Sequence, residues 1–171
     1  EALARLRDDG IIVSRQGSGS YVKRRPDIAV LRFVPVSSIA DIQRCFEFRH
    51  GLEGVAAALA AERWEDSDLA EIRAAFDALE ASTKDFKLGV DADERFHMTI
   101  ARATHNAYHV SVQSSLQPNI VFGMSLTRNL SLLRTQERLR EVQDEHRAIM
   151  NAIAARDADA ARAAMQLHID N

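Results

Sequence analysis

From Ser37 to the end of the chain, apolar residues return every three or four positions, the spacing that gathers them on one face of an α-helix. Ile42, Phe46, Leu52, Val55, Ala56 and Leu59 make the first such run, which Ser37 or Ser38 can cap and which reaches about Arg63. Asp66 and Ser67 open a second run through Leu69, Ile72, Phe76 and Leu79. A third holds Phe86, Val90, Phe96 and Ile100 and breaks at residues 104–106. A long segment then passes through Pro118 and Gly123 to about Asn129. A kink is expected at Pro118, because proline removes a backbone donor inside a helix. Two further runs, near 132–155 and 158–170, hinge at Arg156-Asp157, with Asp157 as the cap. The pattern predicts a mostly α protein, an all-α antiparallel bundle of about six helices.

Ahead of residue 37 the pattern changes. E-A-L-A-R-L-R-D-D-G reads as the last turns of a helix stopped by Gly10. I-I-V-S-R-Q and S-Y-V-K-R read as two short strands, with G-S-G as the hairpin tip between them. Helix, strand, Gly-tipped loop and strand form the C-terminal half of a winged helix-turn-helix. Pro26 and Pro35 mark a linker. The expected organisation is therefore a winged-domain remnant over 1–25, a linker over 26–36 and a helical domain over 37–171. Glu1 lies inside what reads as a running helix, so the chain is expected to be a piece of a longer protein.

Composition agrees with helix. Apolar residues make up 46% with Ala dominant, against seven Gly and three Pro, which disfavours a β-rich fold. No apolar stretch is long enough to span a membrane. The single cysteine, Cys45, excludes an internal disulfide framework and fits a reducing, cytoplasmic compartment. The net charge of −3 divides into +3 over residues 1–26 and −6 over the remaining 145. A small basic head on an acidic body is the asymmetry expected where only the head meets a polyanion.

The candidate chemistry lies on the helices. Asp93 and His97 are four apart in D-E-R-F-H, so both side chains leave one helix face. By itself that pair is also compatible with a plain Asp–His hydrogen bond across one turn. His146 and His168 sit 22 apart on the two final helical runs. One carboxylate and three imidazoles converging inside a bundle would make a divalent metal site. The donor set suits zinc, nickel, manganese or iron and does not by itself choose among them; zinc is the first expectation. His105 and His109 are also four apart, but no carboxylate partner lies near them in the pattern, and they read as helix-start or surface residues. His50 reads as structural. Such a site would also suit a metal-dependent enzyme acting on a small carboxylate. Glu94 and Glu145 adjoin ligands in sequence, yet helix neighbours point about 100° apart, so neither reads as a general base.

Several stretches together resemble the GntR family of bacterial transcription regulators, in the FadR-like subgroup with an FCD effector-binding domain. E-A-L-A-R-L-R-D-D-G-I-I-V-S-R-Q-G-S-G-S-Y-V is similar to the end of that family's recognition helix and its wing. F-R-H-G-L-E-G-V-A-A-A-L-A-A resembles its first effector-domain helix, and D-E-R-F-H-M-T-I-A-R-A-T-H-N its metal-ligand helix. E-H-R-A-I-M-N-A-I-A-A-R-D-A-D-A-A-R-A-A-M-Q-L-H resembles its closing helices. Arg156 departs from the pattern, since many members carry glycine there. The first two helices of the winged domain have no counterpart in these 171 residues.

The resemblance implies a ligand-responsive regulator, usually a repressor, acting as a homodimer on operator DNA. It implies Asp93, His97, His146 and His168 as the metal-ligand set. It also places Arg49 toward an effector cavity, where a planar guanidinium matches a carboxylate. The competing role for Arg49 is an ion pair with Glu53, Glu47 or Asp93. Asn119 and Arg128 are further candidates for effector contact. The wing residues Arg15, Gln16, Gly17, Ser18 and Gly19 are the candidates for contact with the DNA backbone.

Overall fold

Ser38 starts the first helix of the bundle, its Oγ accepting the Asp41 amide at 3.1 Å. The structure, a computed structural model, describes residues 3–5, 12–15, 17, 19–22, 34–84, 89–130 and 136–171. Its chain divides into two compact units, Glu1–Arg32 and Phe33–Asn171. In the second unit the helices are α1 (Ile39–Arg63), α2 (Asp66–Lys84), α3 (Val90–Ala103), α4 (Ala107–Leu130), α5 (Gln136–Ala154) and α6 (Ala158–Asp170). These are the six runs that the hydrophobic spacing predicts. Helix α4 runs unbroken through Pro118. Phe86, expected in the third helix, and residues 131–135 lie outside the described residues.

In the first unit, residues 3–5 are helical. Strands β1 (Ile12–Arg15) and β2 (Gly19–Val22) pair antiparallel, with Ile12 opposite Val22 and Arg15 opposite Gly19. Gly17 and Gly19 have φ of +80° and +90°, which is why the tip needs glycine at both positions. Gln16, Ser18 and the side chain of Arg15 lie outside the described residues, as do linker residues 26–33.

Helix α1 is the centre of the bundle, packing most extensively on α6 and also touching α3, α4 and α5. Its buried face is built from small residues, including Gly54, Ala57, Ala60 and Ala61. A Cβ at Gly54 would fall 2.8 Å from Cγ of Gln166, so the missing side chain lets α6 lie close. Gly123 does the same for α4, where a Cβ would meet Phe46 Cε2 at 3.0 Å. Ile72, Phe76, Phe96, Ile100, Ile149, Ile153 and Met165 fill the core between the helices.

At one end of the bundle, the ends of three helices are tied together. Trp64 donates its indole N–H to the Ile153 carbonyl at 2.8 Å, and Arg63 Nη1 donates to the Thr104 carbonyl at 3.0 Å. Both carbonyls lie at helix C-termini, where the i+4 amide is missing, and that of Ile153 also accepts the Arg156 amide at 3.0 Å. Arg156 completes the arrangement. Its guanidinium carbon lies 3.8 Å from the Trp64 ring centroid, and its Nη2 and Nη1 donate to the Trp64 and Glu62 carbonyls at 3.0 and 3.3 Å. Its backbone has φ +57°, the left-handed conformation that ends many helices and favours glycine. Asp157 then caps α6, accepting the Ala160 amide at 3.0 Å.

The side chain and backbone of Arg156 thus pull in opposite directions. Arg156→Ala keeps the left-handed cost and loses the ring and carbonyl contacts, whereas Arg156→Gly loses the same contacts and relieves the backbone by about 1 kcal/mol. The glycine variant should melt about 2–4 °C above the alanine variant in a thermal denaturation followed by circular dichroism. An alanine variant as stable as the glycine one would show that the left-handed backbone carries no cost there.

Candidate metal centre

Asp93 and His97 occupy successive turns of α3, His146 projects from α5 and His168 from α6. One donor atom from each lies within 4.8 Å of every other. The imidazoles of His146 and His168 have centroids 4.2 Å apart, and those of His97 and His168 are stacked at 5.3 Å. Phe96 presses edge-on against His146 and His97, walling the cluster on one side with hydrocarbon. The simple Asp–His bridge across one turn is not what forms, since His97 Nε2 stands 3.9 Å from Asp93 Oδ2. Asp93 Oδ1 instead lies 3.2 Å from Nε2 of His146 on another helix.

The ring nitrogens separate into two sets. His97 gives Nδ1 to Glu53 Oε2, and His168 gives Nδ1 to Glu145 Oε2 at 2.9 Å. With Nδ1–H donated to a carboxylate, each ring leaves Nε2 as the nitrogen with a free lone pair. His97 Nε2 and both nitrogens of the fully buried His146 have no hydrogen-bond partner among the described residues. The approach of His146 to Asp93 is therefore one of distance without hydrogen-bond alignment. Orphaned imidazole nitrogens in a buried site call for an occupant. A carboxylate oxygen and three imidazole nitrogens, two of them oriented by outer carboxylates, could hold a divalent cation.

Charge reinforces this. Burial raises the Asp93 carboxyl, but the nearby His146, His97 and Arg49 outweigh it and hold the group well below the usual carboxylate range. Burial pushes the His168 imidazole down to about 4; Glu145 opposes that shift, and His146 and His97 add to it. Asp93 thus stands ionised and His168 neutral near pH 7, the forms that can donate to a cation.

Arg49, expected toward a cavity, is buried at 4% exposure and donates Nε to Glu53 Oε1. Its guanidinium also lies 5.5 Å from the Phe46 ring centroid. Gln113 of α4 donates to the same Glu53 oxygen at 3.1 Å. Burial works to raise the Glu53 carboxyl, yet Arg49 and His97 together depress it well below its ordinary value. Asn119 donates Nδ2 to the Val34 carbonyl at 3.3 Å, and the Arg128 side chain lies outside the described residues. His105 pairs with Asp68 at 2.8 Å and His50 with Asp170 at 3.4 Å, both away from the four-residue set. His109 keeps an unpartnered Nδ1 among the described residues and is likewise outside that set.

Two residues of the site escape a reading of the sequence alone. Glu53 shows only as the i+4 neighbour of Arg49, and its bond to His97 spans 44 residues. Glu145 adjoins His146 in sequence, but its partner is His168 on the next helix. The one available signal is a glutamate on the inner face of a helix, which normally goes there only when paired.

Comparison with known proteins gives a consistent result. Residues 44–171 match the FCD domain model. The chain is 30% identical over 178 aligned positions to the HTH-type transcriptional regulator LutR of Bacillus subtilis (strain 168), covering all of this chain and 80% of that protein. It is 28% identical over 176 positions to the Escherichia coli (strain K12) protein named "Putative L-lactate dehydrogenase operon regulatory protein", covering 99% of this chain and 67% of that one. Among solved structures, Streptococcus agalactiae GntR has a similar fold, with a TM-score of 0.68 at 23% identity over 99% of this chain and 77% of that one.

Replacing His146 by Ala removes the most buried of the four donors. The variant should lose zinc affinity by more than the about 10–100-fold typical of outer partners, measured by competition with a chromophoric chelator. Retention of full zinc stoichiometry and affinity by this variant would remove His146 from the ligand set.

Proposed function

Because this chain belongs to the FCD-domain family of GntR-type transcriptional regulators, we propose that it senses a small carboxylate in its helical unit and adjusts DNA binding accordingly. The family and the relatives regulate transcription and are not enzymes, so the metalloenzyme alternative falls away. The observation that carries the reading is the convergence of Asp93, His97, His146 and His168 on one buried point with orphaned ring nitrogens.

In this reading those four residues hold a divalent cation, with zinc as the first choice and nickel, manganese or iron as alternatives. When bound, such an ion supplies a hard positive contact for a carboxylate oxygen. The chain's own contribution is orientation. Glu53 and Glu145 set the faces of His97 and His168, and Arg49 adds a fixed positive charge beside Asp93. Asn119 and Arg128 on α4 are proposed as further effector contacts. The relative named for an L-lactate dehydrogenase operon suggests a short hydroxy acid as the first compound to try.

The hairpin Ile12–Val22, with Arg15, Gln16, Gly17, Ser18 and Gly19 at its tip, is proposed to lie against the phosphate backbone. Residues 1–25 would then be part of a winged helix-turn-helix, joined through a 26–36 linker to the sensing domain at 37–171. A homodimer on a two-fold operator is the expected assembly, since half-site symmetry mirrors protein symmetry. An acid acts as an effector only by binding one arrangement of the helices better than another.

The test is a titration of the protein on the DNA upstream of its own gene, with L-lactate and a panel of related organic acids, before and after chelator treatment. One acid should shift the DNA-binding midpoint by about 5–150-fold, and the chelator should abolish the shift. If no acid moves the midpoint of the metal-loaded protein, the carboxylate-sensing reading fails.

A further inference from the structure

Glu53 is hydrogen-bonded both to a residue of the cluster, His97, and to Arg49. Its two oxygens have separate tasks. Oε2 takes Nδ1 of His97, while Oε1 takes Nε of Arg49 and the Gln113 amide. Two donors on one oxygen fix the rotation of the carboxylate, and that rotation decides where the other oxygen points. Glu145 holds His168 in a comparable way, but its second oxygen faces Asn171, the last residue, and Arg138 near the start of α5. Glu53 is 3% exposed and shares its partners among α1, α3 and α4.

We propose that Glu53 is a positioning residue that turns Nε2 of His97 toward the cluster and ties that orientation to the Arg49 guanidinium. This rests on the reading of Asp93, His97, His146 and His168 as metal ligands. Nδ1–H of His97 is committed to Glu53, so Nε2 is the nitrogen left to donate, and it is the one that stands orphaned in the buried cluster. A carboxylate that engages Arg49 alters the same group that aims His97. The two halves of the sensing site are thereby linked through a residue that touches neither an ion nor an effector.

The experiment measures zinc affinity by chelator competition in the unmutated protein and in Glu53→Gln, Arg49→Lys and the double variant, with circular dichroism to confirm folding. Glu53→Gln should weaken zinc binding about 10–100-fold. Arg49→Lys offers no donor to the ion, yet should change zinc affinity by about 2–30-fold. In the double variant the lysine should add less than about a twofold further change. Full additivity would mean that Arg49 acts by another route, and a folded Glu53→Gln with unaltered affinity would overturn the proposal.

The ¹⁵N imidazole shifts of His97 in the zinc-loaded unmutated protein give a check that needs no variant. They should show a protonated Nδ1 and a bound Nε2; the reverse pattern overturns the assignment. His146→Ala separates the two levels of failure. If the unmutated protein binds none of zinc, nickel, manganese and iron, the ligand set falls and this proposal with it. If His146→Ala loses zinc while Glu53→Gln keeps it, only Glu53 loses its role.

Discussion

An ionised carboxylate in the interior of a helical bundle is stable only when its lone pairs are taken up by donors, and the centre of this protein is arranged around that requirement at Glu53. Arg49 lies one turn back on the same helix, His97 reaches across from α3 and Gln113 from α4. One charged group therefore fixes the mutual positions of three helices. Stranding such a charge by removing a partner costs about 3–5 kcal/mol. The half-exposed Arg147–Glu80 pair on the surface falls in the class worth about 0–1 kcal/mol. The interior pair thus dictates geometry in a way that surface pairs cannot.

The cluster beyond Glu53 depends on how closely the helices approach. Short imidazole side chains from α3, α5 and α6 meet only if the backbones are near, and the Ala and Gly face of α1 permits that. Phe96 then excludes water from one side of His97 and His146. In such a setting charges are felt more strongly than at the surface, which is why the carboxyl groups of Asp93 and Glu53 are both depressed in spite of their burial.

How much of this could be read from the sequence depended on distance along the chain. The helices were legible because apolar spacing is a local property, and Ser38 and Asp157 were legible as caps for the same reason. Asp93 and His97 stood out because four residues make one turn. His146 and His168 have no such local mark: they show only as histidines on the two final helical runs, and resemblance to a known family strengthens their place in the set. Glu53 and Glu145 were hidden because their partners lie on other helices, 44 and 23 residues away. Arg49 stands out in the sequence by its charge, and Glu53 shows there only as one possible ion-pair partner for it. In the structure Glu53 connects Arg49 to the cluster. Arg156 was visible as a departure from glycine, although the Trp64 ring that receives it could not be seen.

The tie among Trp64, Arg156 and the Ile153 carbonyl has a mechanical consequence for the cluster. His146 lies seven residues before Ile153 on α5, about two turns or 10 Å along the axis. The helix is anchored at its C-terminal end by groups that do not involve the cluster. Any displacement imposed at His146 would therefore act on a helix that is held two turns further on at Ile153.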